Sequence, residues 1–472
     1  MLPGNRAMRV TFAGIGVACS LTIGSGMALA QTLEQTLIAA YGNNPTLNAQ
    51  RAATRATDEN VPKALSGYRP TVTGAAGATK DALGTTSTPT TILGIPVPGT
   101  HFNSTLNQSA LSVTVTQNLY NGFRTGNSTR SAEAQVFQSR ETLRATEQQV
   151  LLDATTAHMN VIRDEALVQL QQQNVQALQA QLKAAKDRFD VGEVTRTDVA
   201  LAEAAEAGGR AALIQAQSTV NTSRAVYRQV VGVKAGKLVL PSTLEPLLPR
   251  SLDAALNVGI LTNPSVVAAQ YAIDFAVLQV KVAEGALLPT VNAQGVLSRV
   301  TEPQTGISQQ TSASVGVAAT APVYQGGLEY ATVRQAKETL GQTRIEMDVI
   351  RDQVRSLVVQ QWSLLEAAKA TVQAAQSQVN SQKIALQGIT EEYKVGQRTI
   401  TDVLTAQANL VQAQSTLVNA MRDRVVNYYG VLAAIGKLEV TTLGLPIVSY
   451  DPQIHYEQVR DTWGGLRTPD GR

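Results

Sequence analysis

The sequence predicts a mostly helical α+β membrane protein, built by internal duplication, whose chain supplies four strands and two very long helices. Three observations predict it. A short connector occurs twice, the helical segments beside it are too long for a globular domain, and two hairpins carry a membrane-strand pattern. RFDVGEVTRTDVA, from Arg188, and EYKVGQRTITDVL, from Glu392, are identical at six of thirteen positions. Collinear matches of this kind mark a duplicated structural unit.

The N-terminus carries Arg6 and Arg9, then the apolar run VTFAGIGVACSLTIGSGMALA, closing on Ala28-Leu29-Ala30. Basic residues, an apolar stretch and a small-x-small site define a secretory signal peptide over residues 1–30. The one cysteine, Cys19, falls inside it. Lipid modification of Cys19 is the weaker reading, because Gly16 stands where a large aliphatic residue is expected. Beyond the signal we expect no apolar run long enough for a membrane helix. An exported chain without a helical anchor is periplasmic, secreted or an outer-membrane β-protein.

The first repeat covers residues 31–250. It reads as a helix near 46–66, a hairpin near 71–120, a long helix near 125–189, a turn, and a helix near 198–231. The second covers 251–440: a helix near 265–284, a hairpin near 290–324, a long helix near 328–393, a turn, and a helix near 402–435. Residues 441–472 form a polar tail that lies along the outside or hangs loose. Asn44-Pro45 matches Asn263-Pro264, and YRPTV at 68–72 matches LLPTV at 287–291. In the first hairpin Leu111, Val113 and Val115 alternate with Ser112, Thr114 and Thr116. Val315, Val317 and Ala319 alternate with Gly316, Ala318 and Thr320 in the second. Period two with one apolar and one small or polar face, over about 9–11 residues, fits an outer-membrane barrel strand.

The long helices carry a heptad seam. Val354, Val358, Gln361, Leu365, Ala368, Val372, Ala375, Val379, Gln382, Leu386, Ile389 and Tyr393 follow alternating steps of three and four,. The equivalent positions in the first repeat run from Val150 to Phe189. A helix over 328–393 is roughly 100 Å long at about 1.5 Å per residue. Each returning helix covers about half of that, so the helix preceding each hairpin stacks end to end above it. Four strands cannot close a membrane barrel, whose smallest members have about eight. The chain must therefore associate with copies of itself.

The YRP and LLP strand entries, the NLYNG and PVYQGG turns and the VGxxTxTDV connectors together resemble the TolC-type outer-membrane efflux proteins. The resemblance covers essentially the whole mature chain. It implies a homotrimer with a 12-stranded β-barrel in the outer membrane of a Gram-negative bacterium, four strands per chain. A long α-helical coiled-coil barrel would continue it into the periplasm. It also implies a passive exit duct for drugs, small molecules or proteins, in a tripartite efflux or type I secretion system. The implied partners are the lipid bilayer, a periplasmic adaptor protein and an inner-membrane transporter of the RND or ABC type.

The connectors read as helix reversals. Gly192 and Gly396 supply the turn, Thr197 and Thr401 cap, and Asp198 and Asp402 favour the following helix N-terminus. The resemblance further implies a periplasmic gate. Tyr393 and Arg398 would tether to Thr197 and Asp198, and Asp402 would form an acidic ring around the mouth. The chain departs from the family at Thr405, where some members carry a second ring acid, and at Arg196, where the second repeat has Ile400.

Other chemistry finds little support. Net charge is +3, and without Arg6 and Arg9 it falls to +1, which gives no electrostatic case for nucleic acid. His101, His158 and His455 have no metal-ligand spacing. GVKAGKL at 232–238 lacks the hydroxyl residue and length of a phosphate loop. Trp362 and Trp463 read as packing residues. No cofactor and no enzyme activity are expected. A coiled-coil surface adhesin or structural rod is the alternative, but it needs no duplicated hairpin.

Overall fold

A computed structural model describes residues 31–241, 247–304 and 306–471. The signal peptide and Cys19 lie outside the described residues. The elements, in order, are α1 (Leu33–Asn43), α2 (Pro45–Asp58), α3 (Asn60–Leu65), β1 (Thr71–Thr86), β2 (Thr90–Ile92), β3 (Ile95–Val97) and β4 (His101–Asn121). These are followed by α4 (Arg124–Asp190), α5 (Arg196–Val231), α6 (Leu252–Thr262) and α7 (Pro264–Gly285). Then come β5 (Thr290–Gln304), β6 (Ile307–Thr320), α8 (Leu328–Lys394), α9 (Ile400–Ala434) and α10 (Pro452–Val459).

β1, β4, β5 and β6 form one antiparallel sheet in the order β1-β4-β5-β6. Residues paired across a ladder share a face, so the register sorts the side chains. One face carries the rows Val72–Val115–Gly295–Val315 and Gly74–Val113–Leu297–Ala313. The other carries Thr73–Thr114–Val296–Ser314 and Ala75–Ser112–Ser298–Ser312. The strands run 14 to 21 residues, longer than the sequence pattern suggests. The excess is mostly polar, with Leu83, Phe102 and Leu106 among it: β1 and β4 remain paired out to Thr86 and His101, well past the last β4–β5 pair, Ser109–Thr301. Where β5 leaves, the Glu302 carboxylate accepts from the Asn107 amide at 3.0 Å. The predicted loop between β1 and β4 contains its own small hairpin, β2–β3.

Below the sheet, the helices form four columns. α4 packs against α5 and α9, and α9 packs against α8. Nearer the sheet, α4 packs against α2, α3 and α7, and α7 against α8. The columns are therefore α5 with α2, then α4, then α9 with α7, then α8. The expected single helix over 46–66 is split into α2, α3 and a 3-10 turn at Ser66–Tyr68. Pro62 explains the break after Asp58, since a proline ring clashes with the carbonyl four residues earlier.

The end-to-end junctions rest on two asparagines. Asn44 Oδ1 accepts from the amides of Thr46 and Leu47, capping α2, while its Nδ2 donates to the Val230 carbonyl at the end of α5, at 2.8 Å. Asn263 repeats the arrangement, accepting from the Ser265 amide and donating to the Ala434 carbonyl at 2.9 Å. One side chain thus satisfies orphan groups at two helix ends. Gly436, at φ +73°, allows the approach, because a Cβ there would come within 2.8 Å of the Asn263 Cα.

All twelve seam positions of α8 are buried or half-buried. In α4 the same holds down to Ala185, with Phe189 exposed at the tip. The main core joins Leu37, Leu151, Val161, Tyr227, Val358, Leu365, Leu432 and Ile435, where the columns are spliced. The seam's one charge, Asp164, is buried against Arg163 at 2.7 Å and accepts from the Ser223 hydroxyl. His158 is structural: Nε2 donates to the Val239 carbonyl, Nδ1 meets the Thr36 hydroxyl at 2.8 Å, and burial lowers its pKa.

Leu252–Gly285 is apolar enough, at a mean hydropathy of 1.4, to pass for a membrane span. It is instead two helices broken at Asn263-Pro264, with α7 packed on α4 and α8. Within the tail, expected to lie along the outside or hang loose, α10 docks on α2. GVKAGKL begins at the left-handed Gly232 that ends α5 and continues to Leu238, which bridges to Gln31.

Asn263→Ala should cost about 2 kcal/mol, combining a lost cap with an unsatisfied buried carbonyl. Asn263→Asp should retain the cap but turn a buried carboxylate toward the Ala434 carbonyl, and so recover none of that loss,. The urea midpoint of the detergent-solubilised chain measures both.

Candidate functional site

The two connectors lie together at the end of the helical columns farthest from the sheet. Both reversals have the same hydrogen bonds. The Gly192 amide donates to the Phe189 carbonyl at 2.9 Å and Gly396 to Tyr393 at 3.1 Å. Both glycines are left-handed, with φ of +79° and +81°, which explains their recurrence in the two repeats,.

The caps differ from expectation. Thr195 and Thr399, not Thr197 and Thr401, are the N-cap residues. Each forms a reciprocal box with the acid three positions on, because a threonine side chain reaches the N3 amide and the N3 acid reaches back. Asp198 Oδ2 accepts from the Thr195 amide and hydroxyl at 2.9 and 2.8 Å. Asp402 does the same with Thr399 at 3.0 and 2.9 Å. The T-x-x-D signature is legible in both connectors. The Thr399 amide and hydroxyl hold the Asp402 carboxyl below the usual range, with a smaller contribution from Arg398.

Tyr393 and Arg398, expected as tethers, meet other partners than Thr197 and Asp198 among the described residues. Arg398 Nε donates to Glu392 at 2.8 Å, six residues back along its own reversal. Tyr393 instead lies beneath the guanidinium of Arg188, 5.0 Å from its ring centroid. Arg188 also donates to Glu193 at 2.9 Å and reaches the Lys394 carbonyl at 3.5 Å. It therefore links the tips of α4 and α8, a contact between distant residues that no local motif announces. Thr405 donates to the Thr401 carbonyl at 2.7 Å.

The second functional surface is the sheet. Leu111, Val113, Val115, Leu297, Val315 and Val317 are exposed on one face in this single chain. Three or four consecutive rows, at about 3.4 Å per residue, give an apolar band comparable with the outward face of a membrane barrel. The opposite face is lined by serine and threonine, with Ser298 and Ser312 hydroxyls 2.7 Å apart. That face suits a watery lumen. Among the described residues no cluster of three or more His, Cys, Asp or Glu side chains could hold a metal ion.

The depressed pKa of Asp402 has a consequence for the reversal. Its contribution to stability is present above the unfolded carboxylate range and is lost as pH falls through the lower folded value. Protection of the Thr399 and Asp402 amides, taken as exchange relative to the intrinsic rate at each pH, should therefore fall in acid, and Asp402→Asn should remove most of that pH dependence,. Exchange rates measured by NMR or mass spectrometry check this.

The outer membrane efflux protein family profile matches residues 37–233 and 257–437, one segment in each repeat. The chain is 42% identical over 458 residues to the outer membrane efflux protein BepC of Brucella suis biovar 1, covering 97% of this chain and 96% of that one. It is 24% identical over 441 residues to the outer membrane protein TolC of Escherichia coli K12, covering 89% and 85%. The Campylobacter jejuni CmeC outer membrane channel superposes with a TM-score of 0.74 at 15% identity, over 97% of this chain and 98% of that one. An adhesin or rod is not favoured by any of these likenesses. The chain belongs to the outer membrane efflux protein family, as a TolC-type exit duct of the Gram-negative outer membrane.

Proposed function

We propose that three copies close head to tail into a 12-stranded barrel continued by a helical tunnel. One observation carries this reading: strands and columns stand in the same order. β1 follows the α2 column, β4 leads into α4, β5 follows α7 and β6 leads into α8. The unpaired flanks therefore coincide along the whole molecule, with β1 and α5 on one side and β6 and α8 on the other. Exposed Ile214 on α5 and Ile345 and Ile384 on α8 lie on those flanks. A heterologous contact of this kind completes a ring when its rotation closes. Twelve strands match the family's architecture, and eight would leave too narrow a lumen for a duct.

The tunnel conducts passively, with a periplasmic adaptor and an inner-membrane transporter of the RND or ABC type supplying recognition and energy. Its small polar lining discriminates little between drugs, other small molecules and proteins. The connectors form the periplasmic mouth and its gate. In the shut state Tyr393 and Arg398 engage Thr197 and Asp198, and Asp402 contributes an acidic ring. The pairing of Arg398 with Glu392 and of Tyr393 with Arg188 is then the released arrangement. Exposed ion pairs are individually weak, so docking of an adaptor suffices to exchange them.

Native mass spectrometry of the detergent-extracted chain should give three copies, and a predominant single chain or dimer would overturn the closure. Tyr393→Phe combined with Arg398→Glu should raise single-channel conductance in planar bilayers. Conductance equal to wild type would count against the gate.

A further inference from the structure

The C-terminal tail has no part in the duct described above, yet it is fastened to it with care. His455 Nδ1 lies 2.9 Å from the fully buried Asp58 carboxylate. Arg140 covers the Tyr456 ring at 5.2 Å, and Arg460 pairs with Glu133 at 3.5 Å. Beyond α10, Arg69 Nη1 donates to the Thr462 carbonyl at 2.7 Å, and its guanidinium stands 4.7 Å from the Trp463 ring. These contacts fix Trp463 beside Arg69, two residues before β1 begins. Val72, in the first lipid-facing row, is about 10 Å further along the chain at about 3.4 Å per residue.

Trp463 nevertheless remains 73% exposed, and Leu466, across Gly464 and Gly465, is wholly exposed. Burying an indole and a leucine side chain is favourable by kilocalories, so fixing them in water on a well-anchored tail is costly. Tyr68 and Phe123, at the feet of β1 and β4, are exposed as well. An apolar ring with a polar N–H favours the boundary between lipid and water, and aromatic belts mark that level in barrels. Arg69 and Arg467 supply cations suited to phosphodiester groups.

We propose that residues 462–467 form an interfacial anchor, with Trp463 and Leu466 entering the periplasmic phospholipid leaflet of the outer membrane beside β1. The anchor continues the lipid-facing surface of the strands and rests on their placement in the membrane.

The test is tryptophan fluorescence of the full mature protein in vesicles of phosphatidylethanolamine and phosphatidylglycerol, with and without bromine on the acyl chains. The chain has two tryptophans, so subtracting Trp463→Phe from wild type isolates Trp463 without disturbing the half-buried Trp362. Val113→Trp in the Trp463→Phe background reports insertion of the barrel. Expected are a blue-shifted Trp463 emission and its loss in brominated lipid. Loss at Val113→Trp with none at Trp463 overturns the anchor, and a blue shift without quenching assigns Trp463 to a neighbouring copy instead. Quenching at neither position removes the membrane placement, and the anchor with it.

Discussion

Two rows of unpaired backbone groups, along β1 and β6, constrain everything else in this protein. In water an open sheet edge is a liability that charges or bulges can manage. In hydrocarbon there is no solvent to satisfy the amides and carbonyls, and each costs several kcal/mol. In the proposed barrel the apolar face built by Val72, Val113, Leu297 and Val315 puts these edges in lipid. In the proposed ring, pairing β1 with β6 of another copy removes the cost, and among the described residues no further strand pairs with either edge. The long helices inherit that geometry: each strand leads directly into a column, so columns must close wherever strands close.

The duplication makes this possible with little new information. A repeat supplies two strands and two columns, and the second is joined beside the first through α4, which contacts α5, α7 and α9. Splicing shorter helices into a column would ordinarily leave carbonyls at one end and amides at the other without partners. Asn44 and Asn263 solve both with one amide side chain, and the following proline presents no amide to satisfy. The Asn-Pro pair therefore recurs at the same junction in both repeats.

Much of the architecture was legible because it is periodic. The heptad positions from Val150 and Val354 line the buried seam, and the alternation at Leu111 to Thr116 separates the two faces of the sheet. Helix reversal at Gly192 and Gly396 followed from residue type. What escaped was either a competition between neighbours or a contact between distant residues. The cap expected at Thr197 falls on Thr195, because only Thr195 has an acid three residues on. Strand length was underestimated because pairing continues through polar residues such as Asn103 and Lys80, where lipid no longer selects apolar side chains. Arg188 on Tyr393 and Arg69 on Trp463 join residues 205 and 394 positions apart (393 − 188 and 463 − 69). No local pattern encodes such pairs.

The division of labour between seam and mouth follows from the same physics. Along the seam, small aliphatic side chains such as Ala154, Ala157 and Val358 are buried, and moving them apart would reopen apolar surface along the whole column. At the mouth the reversals are held by local capping boxes, which travel with their own helices. Arg188, which links the tips of α4 and α8, is by contrast half-buried, and Arg398, paired within its own reversal, is exposed; neither belongs to the apolar seam. In the proposed gate a column therefore tilts at its far end without losing a cap or opening the core. In the proposed opening only polar contacts at the helix tips are exchanged, and a docking adaptor would provide contacts of the same kind. The site where the proposed duct opens is thus the place where opening disturbs the least of what holds the molecule together.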